Sequence, residues 1–224
     1  MFNVCTNCGE DRPDKIIDPS GPYAICPVCG HKHPFLRLPL FIVTGASRAG
    51  KTTICLQLTS SMNDVVVFEG DILWRKEFEN PGADILEFRN LLLRVCKNIS
   101  QAGRPVVLCA SAPPRQLEQC VERRYFDQLY YLVVTCDERS LIERLPKRAQ
   151  WWRSGTDEMI RQQLQFNKHL LRMARERPEF MITLNMSELS LENALPKVKA
   201  WIRGKLEMPN PEAEVRSQTS EVRS

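Results

Sequence analysis

Apolar and polar residues follow two different periods along most of this chain. Five short apolar runs rich in β-branched residues predict buried strands, with the sequences FIVTG, VVVFEGD, PVVLCAS, YYLVVTCD and FMITLNMS. The longer segments between them have amphipathic spacing and predict helices. Strands that alternate with helices form a parallel sheet with helices on both faces. The pattern therefore predicts an α/β fold of three layers with a five-stranded parallel sheet in residues 35–204.

The two ends of the chain depart from this alternation. Residues 1–34 precede the first strand of the predicted sheet, and so few residues do not hold a fold without a metal or another staple. Residues 205–224 are polar, contain two prolines and show almost no apolar periodicity. This composition predicts a disordered tail. We therefore expect three parts: a small N-terminal module of residues 1–34, an α/β domain of residues 35–204, and a tail of residues 205–224.

Four of the nine cysteines lie in two Cys-x-x-Cys-Gly motifs within the N-terminal module. Cys5 and Cys8 form the first motif, and Cys26 and Cys29 form the second. Two such motifs bring four thiolates around one ion, which predicts a structural zinc ribbon. A pair of redox dithiols is the alternative, but it lacks the strand–helix setting that such motifs need. His31 and His33 follow the second motif, and we expect them to be exposed or to contact the ligands.

Composition adds limits on the class of protein. The chain has 224 residues, of which 43% are hydrophobic, and its net charge is +4. A mildly basic chain suits anionic ligands such as nucleotides but falls short of a dedicated nucleic-acid binder. No apolar stretch reaches 18 residues, and no secretory signal precedes the first cysteine motif. We expect a cytoplasmic monomer or homodimer without a membrane segment.

A phosphate-binding loop lies between the first strand of the predicted sheet and the helix that follows. The segment Gly45–Thr52 reads Gly-x-x-x-x-Gly-Lys-Thr, so its backbone N–H groups can surround phosphates, with Lys51 on the terminal phosphates and Thr52 on Mg²⁺. This predicts a site for ATP or GTP with Mg²⁺. Arg48 is an unusual residue for such a loop, and it either faces solvent or contacts the acceptor. The residues expected to bind the nucleotide are Gly45, Ala46, Ser47, Arg48, Ala49, Gly50, Lys51, Thr52 and Thr53.

The second predicted strand ends in acidic residues. Ligands of an open parallel sheet collect at the carboxyl ends of its strands, so Glu69 and Asp71 lie on the predicted nucleotide edge. Asp71 is the candidate base for a hydroxyl acceptor, and Glu69 either shares that role or positions Mg²⁺ through water. The alternative is that one or both carboxylates only cap the following helix.

The ends of the third and fourth strands resemble those of adenylate-kinase-like nucleoside and nucleotide kinases. In that family a Pro-Arg pair and a Gln four residues after the Arg contact the acceptor, and Pro114, Arg115 and Gln119 match this spacing. The resemblance covers about residues 35–204 and implies a P-loop kinase fold. With Arg89, which lies after the second strand, the expected acceptor-binding residues are Glu69, Asp71, Arg89, Arg115 and Gln119.

After the fourth strand the family carries an Asp-Glu helix with two arginines that lean over the phosphates. Arg144 and Arg148 match these arginines, since they lie four residues apart and share one helix face. The resemblance thus implies catalytic roles for Arg144 and Arg148, which join Lys51 of the loop and the candidate base Asp71 as the expected catalytic residues. Two solvated surface arginines are the alternative. The long segment before the fifth strand also implies a helical lid, and Trp151 and Trp152 near its tip either cover the closed site or divide between core and surface.

The chain departs from the family pattern at the end of the third strand. The family often has an acidic residue there that orders the magnesium shell, whereas this chain has Ser111. Magnesium must then be held by Thr52 with Glu69 or Asp71. The missing acid also counts against ATPases whose main purpose is hydrolysis, because they need a carboxylate there.

Three hypotheses for the function follow from these residues. The first is a kinase that uses ATP, Mg²⁺ and a structural Zn²⁺ to phosphorylate a small-molecule acceptor, a nucleoside or a nucleotide-like compound. The second is a kinase or NTPase that acts on nucleic-acid ends with the ribbon as the grip, which the balanced charge of residues 1–34 does not favour. The third is a nucleotide-binding regulatory protein whose ribbon docks a partner.

Overall fold

The computed structural model describes residues 3–79, 84–145 and 156–207. A small antiparallel sheet near the N-terminus has the order β1-β2-β3, and a parallel sheet has the order β5-β6-β4-β7-β8. The strands are β1 Ile16–Asp18, β2 Tyr23–Ile25, β3 Lys32–Pro34, β4 Leu40–Thr44, β5 Val66–Glu69, β6 Val106–Cys109, β7 Leu129–Thr135 and β8 Met181–Asn185. The five predicted strands of the α/β fold are confirmed.

The helices between these strands lie where the amphipathic segments predict them. They are α1 Lys51–Ser61, α2 Ile85–Ser100, α3 Pro114–Glu118, α4 Glu138–Arg144, α5 Asp157–Glu176 and α6 Leu191–Glu207. Helix α6 runs three residues beyond the predicted end of the domain at residue 204. None of the helices in the described part of the chain is long and apolar enough to cross a membrane.

The strands of the parallel sheet are apolar throughout because helices cover both of their faces. In β4, Leu40 and Ile42 belong to the core under α2, α3 and α5. Phe41 and Val43 alternate with them and belong to the core under α1, α4 and α6. Successive side chains of a strand point to opposite faces, so both sets are removed from water. The three-layer α/β fold is confirmed.

The order of the strands places β4 at the centre of the parallel sheet. It pairs with β6 on one side and with β7 on the other, in parallel register. From β4 the chain goes to the edge strand β5 and back to β6, and it then crosses β4 to reach β7 and the other edge strand β8. This reversal of direction leaves a crevice beyond the carboxyl end of β4. The loop that follows β4 therefore occupies the usual ligand position of an open α/β sheet.

The N-terminal sheet packs against the α/β domain through a small apolar cluster. Ala24 and Phe35 contact Tyr125, and the rings of Phe35 and Tyr125 meet edge to face at 5.3 Å. Beside them the buried ammonium of Lys97 lies 2.7 Å from Glu122 and 4.2 Å from the Tyr125 ring centre. The ribbon is thus joined to the turn at Val121–Tyr125, and it meets α2 where Lys97 Nζ lies 3.5 Å from Asn3 Oδ1.

Glu122→Gln should lower the free energy of unfolding by about 3 kcal/mol. The change leaves the charge of Lys97, which is fully buried, without its carboxylate, and breaking a buried ion pair from one side costs roughly this amount. Urea unfolding checks the value. Glu143→Gln is the matched control, since Glu143 is 59% exposed in its pair with Arg139 and should lose less than about 1 kcal/mol. Equal losses in the two variants would contradict the prediction.

Candidate functional site

The loop after β4 has the backbone conformation that a phosphate-binding loop needs. Gly45 has a φ of 151°, and a Cβ at this position would lie 2.1 Å from the carbonyl oxygen of Val134 on β7. Gly50 has a φ of 113° and begins α1. Residues other than glycine disfavour such angles. The two glycines of the motif are therefore required by the backbone itself.

The first turn of α1 is open to an anion. No side chain of the described chain caps this helix, and its first turn holds no acidic residue. Uncapped N–H groups at a helix N-terminus bind phosphate readily. The ammonium of Lys51 lies at the same place, where it donates to the carbonyl oxygens of Gly45 at 3.0 Å and Ala46 at 2.9 Å.

A cleft of about 360 Å³ lies in front of this loop and reaches the ends of β5 and β6. It joins the predicted phosphate site to the predicted acceptor side, because Lys51 and Asp71 both border it. The residues that line the cleft are Ser47, Arg48, Gly50, Lys51, Thr52, Thr53, Asp71, Cys109, Ala110 and Ser111.

The carboxylates after β5 are not used as helix caps. The capping bond of the short 3-10 helix at Gly70–Leu73 runs from the Trp74 N–H to the backbone carbonyl oxygen of Asp71 and not to a carboxylate. The Asp71 carboxylate accepts no hydrogen bond from any described residue. The Glu69 Oε1 accepts from the Thr52 hydroxyl at 3.2 Å. Two oxygen donors at this distance fit a hydrated Mg²⁺ beside the loop.

Arg89 is a buried cation beside the cleft. It is 8% exposed, and it donates from Nη2 to the Ser111 carbonyl oxygen at 3.1 Å and from Nε to Gln116 Oε1 at 3.2 Å. Burial lowers the pKa of Arg89 to about 10, and the charge of Asp71 acts in the opposite direction. The guanidinium therefore stays protonated at neutral pH, and its hydrogen-bond acceptors among the described residues are neutral.

Other predicted residues lie away from the cleft lining or outside the described chain. Arg115 and Gln119 are exposed on and after α3, whereas Gln116 contacts Arg89. Arg144 ends α4 and lies near Cys136, whose pKa it lowers against a larger opposite effect of burial. Arg148 and the tryptophan pair of the predicted lid fall within 146–155, outside the described residues.

Helix α4, which follows β7, begins with an aspartate as its N-cap. Asp137 precedes α4, and its carboxylate accepts from the Ser140 N–H at 2.8 Å and from the Ser140 hydroxyl at 2.9 Å. Hydrogen bonds from Ser187 and Ser140 lower the pKa of Asp137 to about 2. Asp137 thus fixes the start of the helix that carries Arg144.

Two residues of α5 hold the site together, and the sequence gives no spacing signal for either. Gln163 Oε1 accepts from the Ser47 N–H of the phosphate-binding loop at 2.7 Å. Asn167, one turn later and buried, accepts from the Thr135 hydroxyl at 2.7 Å and donates to the Cys136 carbonyl oxygen at 3.3 Å. Helix α5 therefore joins the loop to the carboxyl end of β7.

The four cysteines of the ribbon form a cluster that fits zinc. Their sulfur atoms all lie within 4.8 Å of one another, and the Sγ atoms of Cys5 and Cys29 are 3.7 Å apart, those of Cys8 and Cys26 3.8 Å. A tetrahedron with Zn–S bonds of about 2.3 Å has edges of about 3.8 Å. The distances therefore match one Zn²⁺ bound by four thiolates.

The two Cys-x-x-Cys-Gly motifs fold in the same way. In each, the glycine N–H donates to the first cysteine, Gly9 to Cys5 at 2.8 Å and Gly30 to Cys26 at 2.9 Å. Both glycines have a positive φ, near 77° and 71°, with open space where a Cβ would lie. The glycines are thus needed for backbone conformation alone.

The surroundings of Cys26 and Cys29 favour the thiolate, whereas the pKa of Cys8 is raised: a backbone hydrogen bond at Glu10 lowers it, but hydrogen bonds with the other cysteine thiols and burial outweigh that effect. A hydrogen bond from the backbone N–H of His31 is the largest cause that lowers the pKa of Cys29, to about 6. His31 itself is exposed, whereas His33 is buried with Nε2 at 3.4 Å from the Cys5 sulfur. Burial lowers the pKa of His33. His33 therefore lies beside a ligand, as an outer contact of the metal site.

Comparison with known proteins identifies the fold. The chain matches no protein-family model and no curated protein sequence. An unliganded sugar kinase from Janibacter sp. HTCC2649 is similar over 75% of this chain and 95% of its own, with a TM-score of 0.58 and 19% identity. A gluconokinase from Sinorhizobium meliloti 1021 is similar over 72% and 90%, with a TM-score of 0.50 and 19% identity.

A third solved structure has the same arrangement. The YorR protein from Bacillus subtilis, in complex with phosphorylated GDP, is similar over 76% of this chain and 99% of its own, with a TM-score of 0.50 and 14% identity. The described α/β part of this chain thus has the fold of P-loop kinases, and a cluster of four cysteines lies before it.

Proposed function

We propose that this protein is an ATP-dependent kinase that transfers the γ-phosphate to a hydroxyl group of a small molecule, a nucleoside or a nucleotide-like compound. The observation that carries the proposal is the shared cleft of Lys51 and Asp71. A carboxylate that caps no helix and borders a phosphate-binding loop is available to take a proton. The P-loop kinase fold is consistent with this activity.

The charge beside the cleft supports an acceptor that carries an anionic group. Arg89 is a buried cation whose hydrogen bonds go to Ser111 and Gln116, both neutral acceptors. A buried charge is costly unless an opposite charge accompanies it. A phosphate or carboxylate on the acceptor would supply that charge. An acceptor with one free hydroxyl and one anionic group fits both Asp71 and Arg89.

In the proposed mechanism each residue has a distinct task. The uncapped N–H groups of α1 and the ammonium of Lys51 bind the phosphates of ATP. Thr52 and Glu69 would hold Mg²⁺, which would supply positive charge to neutralise that of the phosphates. Asp71 accepts the proton of the acceptor hydroxyl as its oxygen bonds to the γ-phosphorus, and ADP leaves with the electrons of the broken P–O bond.

Transfer of label from γ-labelled ATP tests the proposal. Zinc-loaded protein with Mg²⁺ is incubated with nucleosides, nucleoside monophosphates, hydroxy acids, sugar phosphates and short oligonucleotides with a 5′-hydroxyl group, and labelled product and free phosphate are followed together. Label on a small molecule supports the proposal. Label on the oligonucleotide alone would instead support the nucleic-acid hypothesis, and tight ATP binding without any transfer would support a regulatory role.

Asp71→Asn should lower kcat by about a hundredfold while ATP affinity stays within about twofold, because the amide keeps the shape but accepts no proton. Steady-state rates and equilibrium binding of ATP measure the two effects. Glu77→Gln is the control, since Glu77 is an exposed carboxylate in the next short helix, at Lys76–Glu79, and does not line the cleft. An unchanged kcat in Asp71→Asn would remove Asp71 from the mechanism.

A further inference from the structure

Arg48 is held in a backbone conformation that its side chain disfavours. Its φ angle is 66°, and no other non-glycine residue of the described chain has a positive φ. Glycine adopts this region freely, whereas a residue with a Cβ is strained in it. Strain of this kind persists only where neighbouring contacts fix the backbone, and it is concentrated at functional sites. Two questions follow for position 48: which contact holds the backbone in this conformation, and why the side chain is an arginine.

Gln163 supplies the contact that holds the backbone. It accepts from the N–H of Ser47, the residue directly before Arg48, at 2.7 Å. Asn167 anchors the same helix to β7 through Thr135 and Cys136. The residue before Arg48 is thus tied through its N–H to a helix that is itself tied to the sheet.

The location of the Arg48 side chain explains why an arginine occupies this position. The residue is exposed and borders the cleft together with Lys51 and Asp71. It makes no hydrogen bond or ion pair with any residue that the structure describes. A guanidinium presents a planar set of donors that matches phosphate oxygens. Its charge is therefore free for a ligand in the cleft.

We propose that Arg48 contacts the terminal phosphate of the bound nucleotide, and that Gln163 holds the loop in the strained conformation that presents it. This inference rests on the proposed function, because it requires a nucleoside triphosphate in the cleft. The phosphate-binding loop then provides an arginine of its own beside Lys51. Such a charge stabilises the transferred group in phosphoryl transfer.

Equilibrium binding of a non-hydrolysable ATP analogue and of ADP, each with Mg²⁺, tests the contact. Arg48→Ala should weaken the ATP analogue about tenfold or more, as expected for a hydrogen bond to a charged group, while ADP affinity changes less than about twofold. Arg48→Lys should fall between wild type and Arg48→Ala. Arg104→Ala is the control for loss of one positive charge, since Arg104 is exposed before β6, at the opposite end of the strand, and it should bind both nucleotides as wild type does.

Gln163→Met tests the part of the proposal that concerns the loop. The variant keeps the side-chain length but loses the acceptor for Ser47, so the KM for ATP should rise about fivefold with little change in kcat. Gln162→Met is the matched control, because Gln162 is exposed and bonds to Glu158 instead. Arg48→Gly should also melt about 2–4 °C above Arg48→Ala, since both lack the charge and only alanine is strained.

The outcomes separate this inference from the proposed function. If wild type binds the ATP analogue and Arg48→Ala binds it equally well, the contact with the terminal phosphate is wrong. Equal weakening of the analogue and of ADP would also overturn that contact. Equal melting of the glycine and alanine variants, or an unchanged KM in Gln163→Met, would overturn the role of Gln163. A wild-type protein that binds neither nucleotide would overturn the proposed function itself.

Discussion

Lys51→Ala should lower phosphoryl transfer by about a thousandfold, the upper end of the range for loss of one electrostatic contact to a developing charge. The ammonium now donates to the carbonyl oxygens of Gly45 and Ala46, at the mouth of the loop. From there it can reach the terminal phosphates, and alanine leaves their charge without this partner. The initial rate of label transfer at saturating ATP measures the loss.

Lys197→Ala is the control for this experiment. Lys197 is an exposed residue of α6 and does not line the cleft, so its removal should leave the rate within about twofold, as is usual for a surface substitution. The circular dichroism spectra of both variants should match that of wild type. A rate in Lys51→Ala within about tenfold of wild type would contradict the assignment of the loop as the phosphate site.

Removal of zinc should unfold the ribbon completely and weaken the α/β domain as well. The metal contributes about 10 kcal/mol or more to such small modules, and Cys26→Ser removes one of the four sulfur ligands. Unfolding would expose Tyr125 and Phe35, which pack together at the junction. Loss of one buried aromatic contact costs about 2–3 kcal/mol, so the melting temperature of the α/β domain should fall by roughly 5–10 °C. Zinc content and calorimetry measure the two effects.

His31→Ala is the matched control for the ribbon, because His31 is exposed and follows the second cysteine motif. With four thiolates as the ligands, this variant should keep its zinc and its melting temperature. Loss of zinc in His31→Ala would show that the ligand set includes a histidine. An unchanged melting temperature of the α/β domain in Cys26→Ser would show that the ribbon is energetically independent of it.

The fold could be predicted from the sequence because its strands are buried on both faces. Strands such as β4 and β7 are almost purely apolar, so they stand out from the amphipathic helices between them. The phosphate-binding loop and the cysteine motifs could also be predicted, because the spacing of a few neighbouring residues determines the geometry of each motif. Local patterns therefore predicted the layers, the nucleotide loop and the ribbon.

The contacts between distant residues that complete the site could not be predicted from the sequence. Gln163 meets Ser47 across 116 positions, and Gln116 meets Arg89 across 27. Glutamine is common on helix surfaces, and nothing in its immediate neighbours marks one that reaches another element. The family spacing pointed to Gln119 instead, three residues away and exposed. Contacts between side chains of distant elements can be identified only in the folded structure.

The central position of β4 affects the order in which the chain folds during synthesis. Its two neighbours, β6 and β7, begin at Val106 and Leu129, so β4 leaves the ribosome long before either partner exists. Gly45 also needs the carbonyl group of Val134 against it. Synthesis proceeds at about 5–20 residues per second, and domains fold as units while it continues. The nucleotide loop therefore waits several seconds for a strand encoded some ninety codons downstream, and during that interval its apolar strand is exposed to chaperones and to aggregation.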